Sequence, residues 1–208
     1  MIASAHIDTF ARDNLPPPAQ QPEFVFDLPE LNYPARLNAC TELLDRAVER
    51  GMGGRSCIVT PAETLTYAQL LDRVNRVANV LVNDLGLVPG NRVLLRSANN
   101  AMMVAAYFAV LKAGGVVVAT MPLLRAKEIS YVVQKAKIAF ALCDSRLADE
   151  IEKARPNAPE LKKISYWGAG ELEALMAKPG YENFAACNTA ADDVCLIAFT
   201  SGTTGQPK

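Results

Sequence analysis

Two hydrophobic patterns alternate along the chain. In one, apolar positions recur every three to four residues; in the other they run unbroken. From Leu65, "LTYAQLLDRVNRVANVLVNDLG" puts Leu70, Val74, Val77, Leu81 and Leu85 on one stripe ending at Gly86, and Thr66 and Gln69 are spaced as a capping box. That spacing predicts an amphipathic helix. Upstream, "TELLDRAVER" from Thr41 to Arg50 carries Leu43, Leu44, Ala47 and Val48 at helical spacing and stops at Gly51, predicting an earlier helix. Between them "SCIV", Ser56 to Val59, reads as a short strand.

Downstream the alternation continues. "RVLLRS" from Arg92 predicts a strand, and a helix opened by Asn99 or Asn100 runs through "AMMVAAYFAVLKAG", apolar on nearly every side and so buried. "VVVAT" from Val116 is β-branched and continuous, as an inner strand of a parallel sheet should be. The helix "AKEISYVVQKA", the strand "IAFALCD", the helix "SRLADEIEKA", the strand "KKISYW", a short helix at "ELEALM" and a last strand "VCLIAF" follow. This order predicts an α/β fold, a mostly parallel sheet flanked by helices and joined by right-handed crossovers.

Two stretches stand apart. "LPPPAQQP", Leu15 to Pro22, cannot hold a helix or a central strand, because each proline fixes its own φ and lacks a donor; residues 1–40 are expected to form an extended arm ahead of an α/β unit over 41–208. The span Ala101 to Leu124 is long enough for a membrane helix. Lys112 and the pair Gly114-Gly115 sit at its centre, so a buried helix, a glycine stop and a buried strand describe it better.

Composition narrows the classes. The 208 residues are half hydrophobic with a net charge of −1, which gives no electrostatic reason to expect nucleic acid or an anionic membrane as partner. Five cysteines lie far apart without a CxxC pair and there is one histidine, so neither a zinc site nor a disulfide framework is expected. "MIASAHIDTFARDN" lacks the basic start and apolar run of a secretion signal, and a cytoplasmic location is the expectation. His6 is expected in a disordered tail, Cys195 as a buried core thiol, Asp192 and Asp193 as solvated turn residues, and Trp167 in packing.

The chemistry concentrates after "VCLIAF", in "FTSGTTGQPK" from Phe199 to Lys208. Gly202 and Gly205 let backbone N–H groups approach a ligand, the hydroxyls of Thr200, Ser201, Thr203 and Thr204 add donors, and Lys208 adds a point charge: together, a cradle for a polyphosphate. A Gly-Ser-Thr cluster also serves as a plain turn, and composition does not separate the two readings. Gln206 and Pro207 separate Gly205 from Lys208, so the Walker A spacing fails. "GMGGRS" from Gly51 precedes a strand and ends in Ser, so the dinucleotide fingerprint fails too.

The ten-residue stretch resembles, without a break, the signature phosphate loop of the adenylate-forming (AMP-binding) superfamily, which includes acyl- and aryl-CoA synthetases, peptide-synthetase adenylation domains and luciferases. "LTYAQL" and "LKAGG" fall in that family's order upstream, although Gln69 stands where the family often has Glu. "VVVATMPLL" departs from the aromatic residue and Pro-Leu-Asp ending common there, which weakens a peptide-synthetase reading. "DTFARDNLPPP", "YPARLNACTELLDRAVERG", "LGLVPGNRVLLRSANN" and "VVVATMPLLRAKE" are similar to the aryl-CoA ligases of benzoate-type acids, 2-aminobenzoate-CoA ligases most of all.

The resemblance implies ATP, Mg2+, coenzyme A and a small carboxylic acid as reactants. It gives Thr200, Ser201, Gly202, Thr203, Thr204, Gly205 and Lys208 the ATP phosphates, leaves a homodimer open, and puts no catalytic residue and no metal ligand before Lys208. It also implies an N-terminal portion of a longer enzyme, inactive in adenylation by itself. The competing readings are a fatty acyl-CoA synthetase, a peptide-synthetase domain, a phosphotransferase and a non-catalytic α/β nucleotide-binding module.

Overall fold

The computed structural model describes residues 3–200. A single helical turn, α1 (Phe10–Asp13), comes first, and residues 15–30 are exposed, with short turns at Pro18–Gln20 and Pro29–Leu31. Wide π turns at Thr41–Asp45 and Val48–Met52 follow, the second broken by Gly51 at φ +83°. Next come β1 (Ser56–Val59), β2 (Thr64–Thr66), α2 (Tyr67–Asn79), β3 (Arg92–Arg96), α3 (Ala101–Lys112), β4 (Val116–Thr120), α4 (Ala126–Ala136), β5 (Phe140–Asp144), α5 (Ala148–Ala154), β6 (Lys163–Trp167) and α6 (Glu171–Met176).

Strands β4, β3, β5 and β6 form one parallel sheet in that order, as the alternating pattern requires. Side chains alternate across it. Val93, Leu95, Phe140 and Leu142 pack with α2, α3 and α6 on one face, while Leu94, Val118, Ala141 and Cys143 pack with α4 and α5 on the other. Both faces are covered, which is why these strands read as unbroken apolar runs.

Local signals set the helix ends. Thr66 accepts from the Gln69 N–H while the Gln69 side chain accepts from the Thr66 N–H, a reciprocal cap whose Thr is worth about 1 kcal/mol. Asn100 caps α3 by accepting from the Met103 N–H at 2.8 Å. The 101–124 stretch divides as α3, a turn with Gly114 at φ +74°, and β4; among the described residues no helix is long and apolar enough to cross a membrane. A Cβ on Gly114 would lie 2.7 Å from Cys187 Sγ, so that glycine is needed both for its conformation and for the close approach.

Five expectations are corrected. "SCIV" does not enter the parallel sheet: it pairs antiparallel with Thr64–Thr66 in a separate hairpin, because only a few residues connect the two and a parallel crossover needs many more. "VVVAT" lies at the end of the four-stranded order and has a single bridge beyond it, Val117 to Leu196. "VCLIAF" accordingly forms an extended segment with that one bridge instead of a full strand, and Cys195 is exposed instead of buried because nothing among the described residues covers that edge. His6 is 8% exposed and lies beside Asp193 and the turn at Gly90 instead of in a disordered tail.

Candidate functional site

All four parallel strands end together. Arg96 is opposite Thr120 and Cys143, and Asp144 is opposite Trp167, so one edge collects the carboxyl ends of β3, β4, β5 and β6. Ligands in open α/β sheets bind at this edge. The segment after Asp193 runs to the same edge: the Val117 N–H donates to Cys195 O and the Ile197 N–H to Val117 O, both at 2.9 Å, in parallel sense beside β4. Counting forward from the Leu196–Val117 pair brings Phe199 level with Thr120. Phe199 packs edge-on against Tyr131 of α4 with ring centroids 6.4 Å apart. Thr200, the first residue of the candidate loop, is exposed. Ser201, Gly202, Thr203, Thr204, Gly205 and Lys208 lie outside the described residues.

The loop's approach is built at both ends of the sheet. At the amino end, Asp193 Oδ2 accepts from the Ala5 N–H at 3.0 Å and the Ala190 N–H at 2.8 Å, and Oδ1 accepts from the Ser4 hydroxyl. Burial by itself would raise this carboxyl, but those donors and the nearby His6 leave it below its ordinary value. Asp192 is exposed as expected, whereas Asp193 is not a solvated turn residue. Burial pushes the His6 imidazole down, against the pull of Asp193 upward.

At the carboxyl end, the Arg96 guanidinium, 1% exposed, donates to Pro122 O and Leu124 O at 2.9 Å, Met121 O at 3.2 Å and Leu147 O at 3.4 Å. It gathers the β4–α4 connection, and its burial lowers its pKa. Asp144 accepts from Arg146 Nε at 2.9 Å and Nη2 at 2.6 Å and from the Arg146 N–H at 3.0 Å; the Arg146 bonds hold its carboxyl below the usual range. Asn100, Asp144, Arg146 and Trp167 line a groove of about 360 Å³ there. A second groove of about 400 Å³ lies along the incoming segment, between Phe10, Lys135, Leu196 and Phe199.

Sequence reasoning missed Arg96, Asp144 and the ordered role of Asp193. Arg96 and Asp144 close the strands "RVLLR" and "FALCD", and a charged residue ending an apolar strand is the signal that could have marked them. Trp167 is buried in packing as expected, 4% exposed. Among the described residues no group of three or more His, Cys, Asp or Glu is placed to hold a metal ion.

A protein-family model described as "AMP-binding enzyme" matches residues 44–208, most of the chain. The chain belongs to the AMP-binding enzyme family. Within that family it is 32% identical over 183 residues to the benzoate–CoA ligase of Thauera aromatica, covering 86% of this chain and 34% of that protein. The structure of an anthranilate CoA ligase in complex with anthranoyl-AMP superposes with a TM-score of 0.79 at 25% identity, over 87% of this chain and 34% of the other. ATP-bound MatB from Rhodopseudomonas palustris superposes with a TM-score of 0.71 at 31% identity, over 82% and 33%. The parallel sheet with flanking helices is therefore the fold of AMP-binding enzymes over this region, and the chain spans about a third of the length of these relatives.

Proposed function

We propose that the chain forms the N-terminal α/β portion of an ATP-dependent acid–CoA ligase that activates an aromatic carboxylate of the benzoate or 2-aminobenzoate type. Residues 1–40 act as its arm and 41–208 as its phosphate-holding subdomain. The observation that carries this is that Val194–Phe199, the segment preceding "TSGTTGQPK" in the sequence, runs to the carboxyl edge of a parallel sheet in a member of the AMP-binding family. The aromatic acid is favoured by the benzoate–CoA ligase and anthranilate CoA ligase relatives.

In the first half-reaction a carboxylate oxygen attacks the α-phosphorus of ATP, and the bond to the pyrophosphate oxygen breaks. The adenylate so formed converts a poor leaving group, oxide, into a good one. In the second, the thiol of coenzyme A attacks the acyl carbon, AMP departs with the bonding pair, and the thiol proton passes to solvent. Negative charge builds on the departing pyrophosphate, so donors placed there lower the barrier. Thr200, Ser201, Gly202, Thr203, Thr204, Gly205 and Lys208 are assigned that role. Among the described residues no group of three or more His, Cys, Asp or Glu is placed to hold Mg2+. The enzyme acts in the cytoplasm on small molecules.

Titration of ATP against the full-length protein, with and without Lys208→Ala, tests the loop; a plain turn is indifferent to the change. In the complete ligase, Lys208→Ala lowers acid-dependent ATP–pyrophosphate exchange by on the order of a hundredfold. An unchanged rate refutes the assignment, and a phosphorylated product in place of AMP refutes the reaction.

A further inference from the structure

The extended segment Val194–Phe199 is a weakly specified strand. It carries no charge, its bonds to Val117 are two, and Cys195, Leu196 and Ala198 are exposed. Ile197 and Phe199 pack against the core while Leu196 and Ala198 are exposed, yet the outward residues are apolar too, so composition gives little preference between registers, and a slip of one residue would turn every side chain to the opposite face. The choice falls to whatever anchors its start.

Asp193 immediately precedes the segment and takes three neutral donors, the Ser4 hydroxyl and the Ala5 and Ala190 N–H groups. Ser4 Oγ in turn accepts from the His6 N–H at 3.0 Å. The N-terminal strap is itself held to the sheet frame. The Ile7 and Asp8 N–H groups both donate to Pro89 O at 3.0 Å, Asp8 meets Arg92 Nη1 of β3 at 2.5 Å, and the Arg92 guanidinium lies 4.7 Å over the Phe10 ring. The turn before Asp193 is tied separately, by the Leu37 N–H to Thr189 O at 3.0 Å and the Cys187 N–H to Lys112 O at 2.8 Å.

The geometry points to Asp193 as the positioning residue that sets the register of Val194–Phe199 against β4, with the strap Ser4–Asp8 as its counterpart. That this register delivers a nucleotide loop rests on the ligase reading; the register assignment does not. The donors are neutral, so a neutral side chain of the same shape and acceptor pattern can take the same place. Asp193→Asn keeps one oxygen for the two amides and presents an NH2 that Ser4 Oγ can accept, so it preserves the anchor; Asp193→Ala removes it.

Amide hydrogen exchange on the full chain, resolved by residue, tests this. Asp193→Ala raises exchange at the Val117 and Ile197 amides roughly ten- to a hundredfold and leaves the amides of β3 and β5 unchanged, while Asp193→Asn stays close to wild type. Three results would overturn the assignment: retained protection in Asp193→Ala, equal loss in Asp193→Asn, or loss spread evenly through β3 and β5. If Asp193→Ala does not fold, Ser4→Ala reads the same two amides with a smaller rise, and no rise there overturns the assignment as well. ATP titration of the same variants separates the two readings: altered exchange with unaltered affinity keeps the register role and removes its link to nucleotide.

Discussion

Lys112 is 2% exposed, and its ammonium is held by Asp45 Oδ1 and Asn75 Oδ1, each at 2.6 Å. The residue joins three pieces of the chain: the first helical segment, α2 and α3. Lys112→Met keeps the apolar stem and removes the charge, leaving the Asp45 carboxylate and the Asn75 oxygen without their donor. Breaking a buried pair on one side costs about 3–5 kcal/mol, and the 19% exposure of the Asp45 side chain admits water and puts its share at or below the low end. The orphaned Asn75 oxygen adds about 1 kcal/mol, for a total near 3 kcal/mol. In a chain of this size that lowers the melting temperature by about 6–12 °C. Thermal unfolding followed by circular dichroism measures it. Asp45→Asn in the Lys112→Met background removes the stranded charge and recovers about 1 kcal/mol or more. A Lys112→Met midpoint within about 1 °C of wild type would mean that the pair contributes nothing net, and the reasoning fails.

Further outcomes follow from His6 and from two glycines of positive φ. His6 is the sole histidine, and burial holds its folded pKa below 6.5 while the unfolded chain titrates at the ordinary value. Its contribution is therefore intact above about pH 6.5 and declines as pH falls toward the folded value. An NMR titration of the single imidazole gives a midpoint below 6.5, and His6→Gln flattens the urea midpoint over about pH 5 to 7; a midpoint at or above 6.5 contradicts this. Gly170 has φ +94° and open space around its Cβ direction, so Gly170→Ala costs about 1 kcal/mol of backbone strain. Gly114→Ala adds a clash 2.7 Å from Cys187 Sγ and 2.9 Å from its Cβ and costs about 3 kcal/mol or more; equal urea midpoints for the two variants count against the close-approach argument.

What could be read from the residues in order was whatever depends on neighbours in the chain. Helix α2 and its Thr66–Gln69 cap, the buried helix before Lys112, the glycine stop and the four apolar strands all follow from spacing that local sterics and backbone hydrogen bonds enforce. The candidate phosphate loop could be proposed from the residues in order, because a cradle of main-chain amides is contiguous in sequence. Strand partners were not. Whether "SCIV" joins the large sheet or folds back on Thr64–Thr66, and whether "VVVAT" lies inside or near an edge, depends on which surfaces compete for the same hydrogen bonds.

The tertiary structure alone decided the fates of His6, Asp193, Cys195 and Arg96. Ser4 and Asp193 are 189 residues apart and touch only because the strap and the incoming segment meet at one end of the sheet. Arg96 finds carbonyls from two separate connections, and Cys195 faces outward because the segment carrying it is paired on one side. A polar residue's partner, and an apolar residue's exposure, are set by what the folded chain brings alongside, and that information is distributed over the whole sequence.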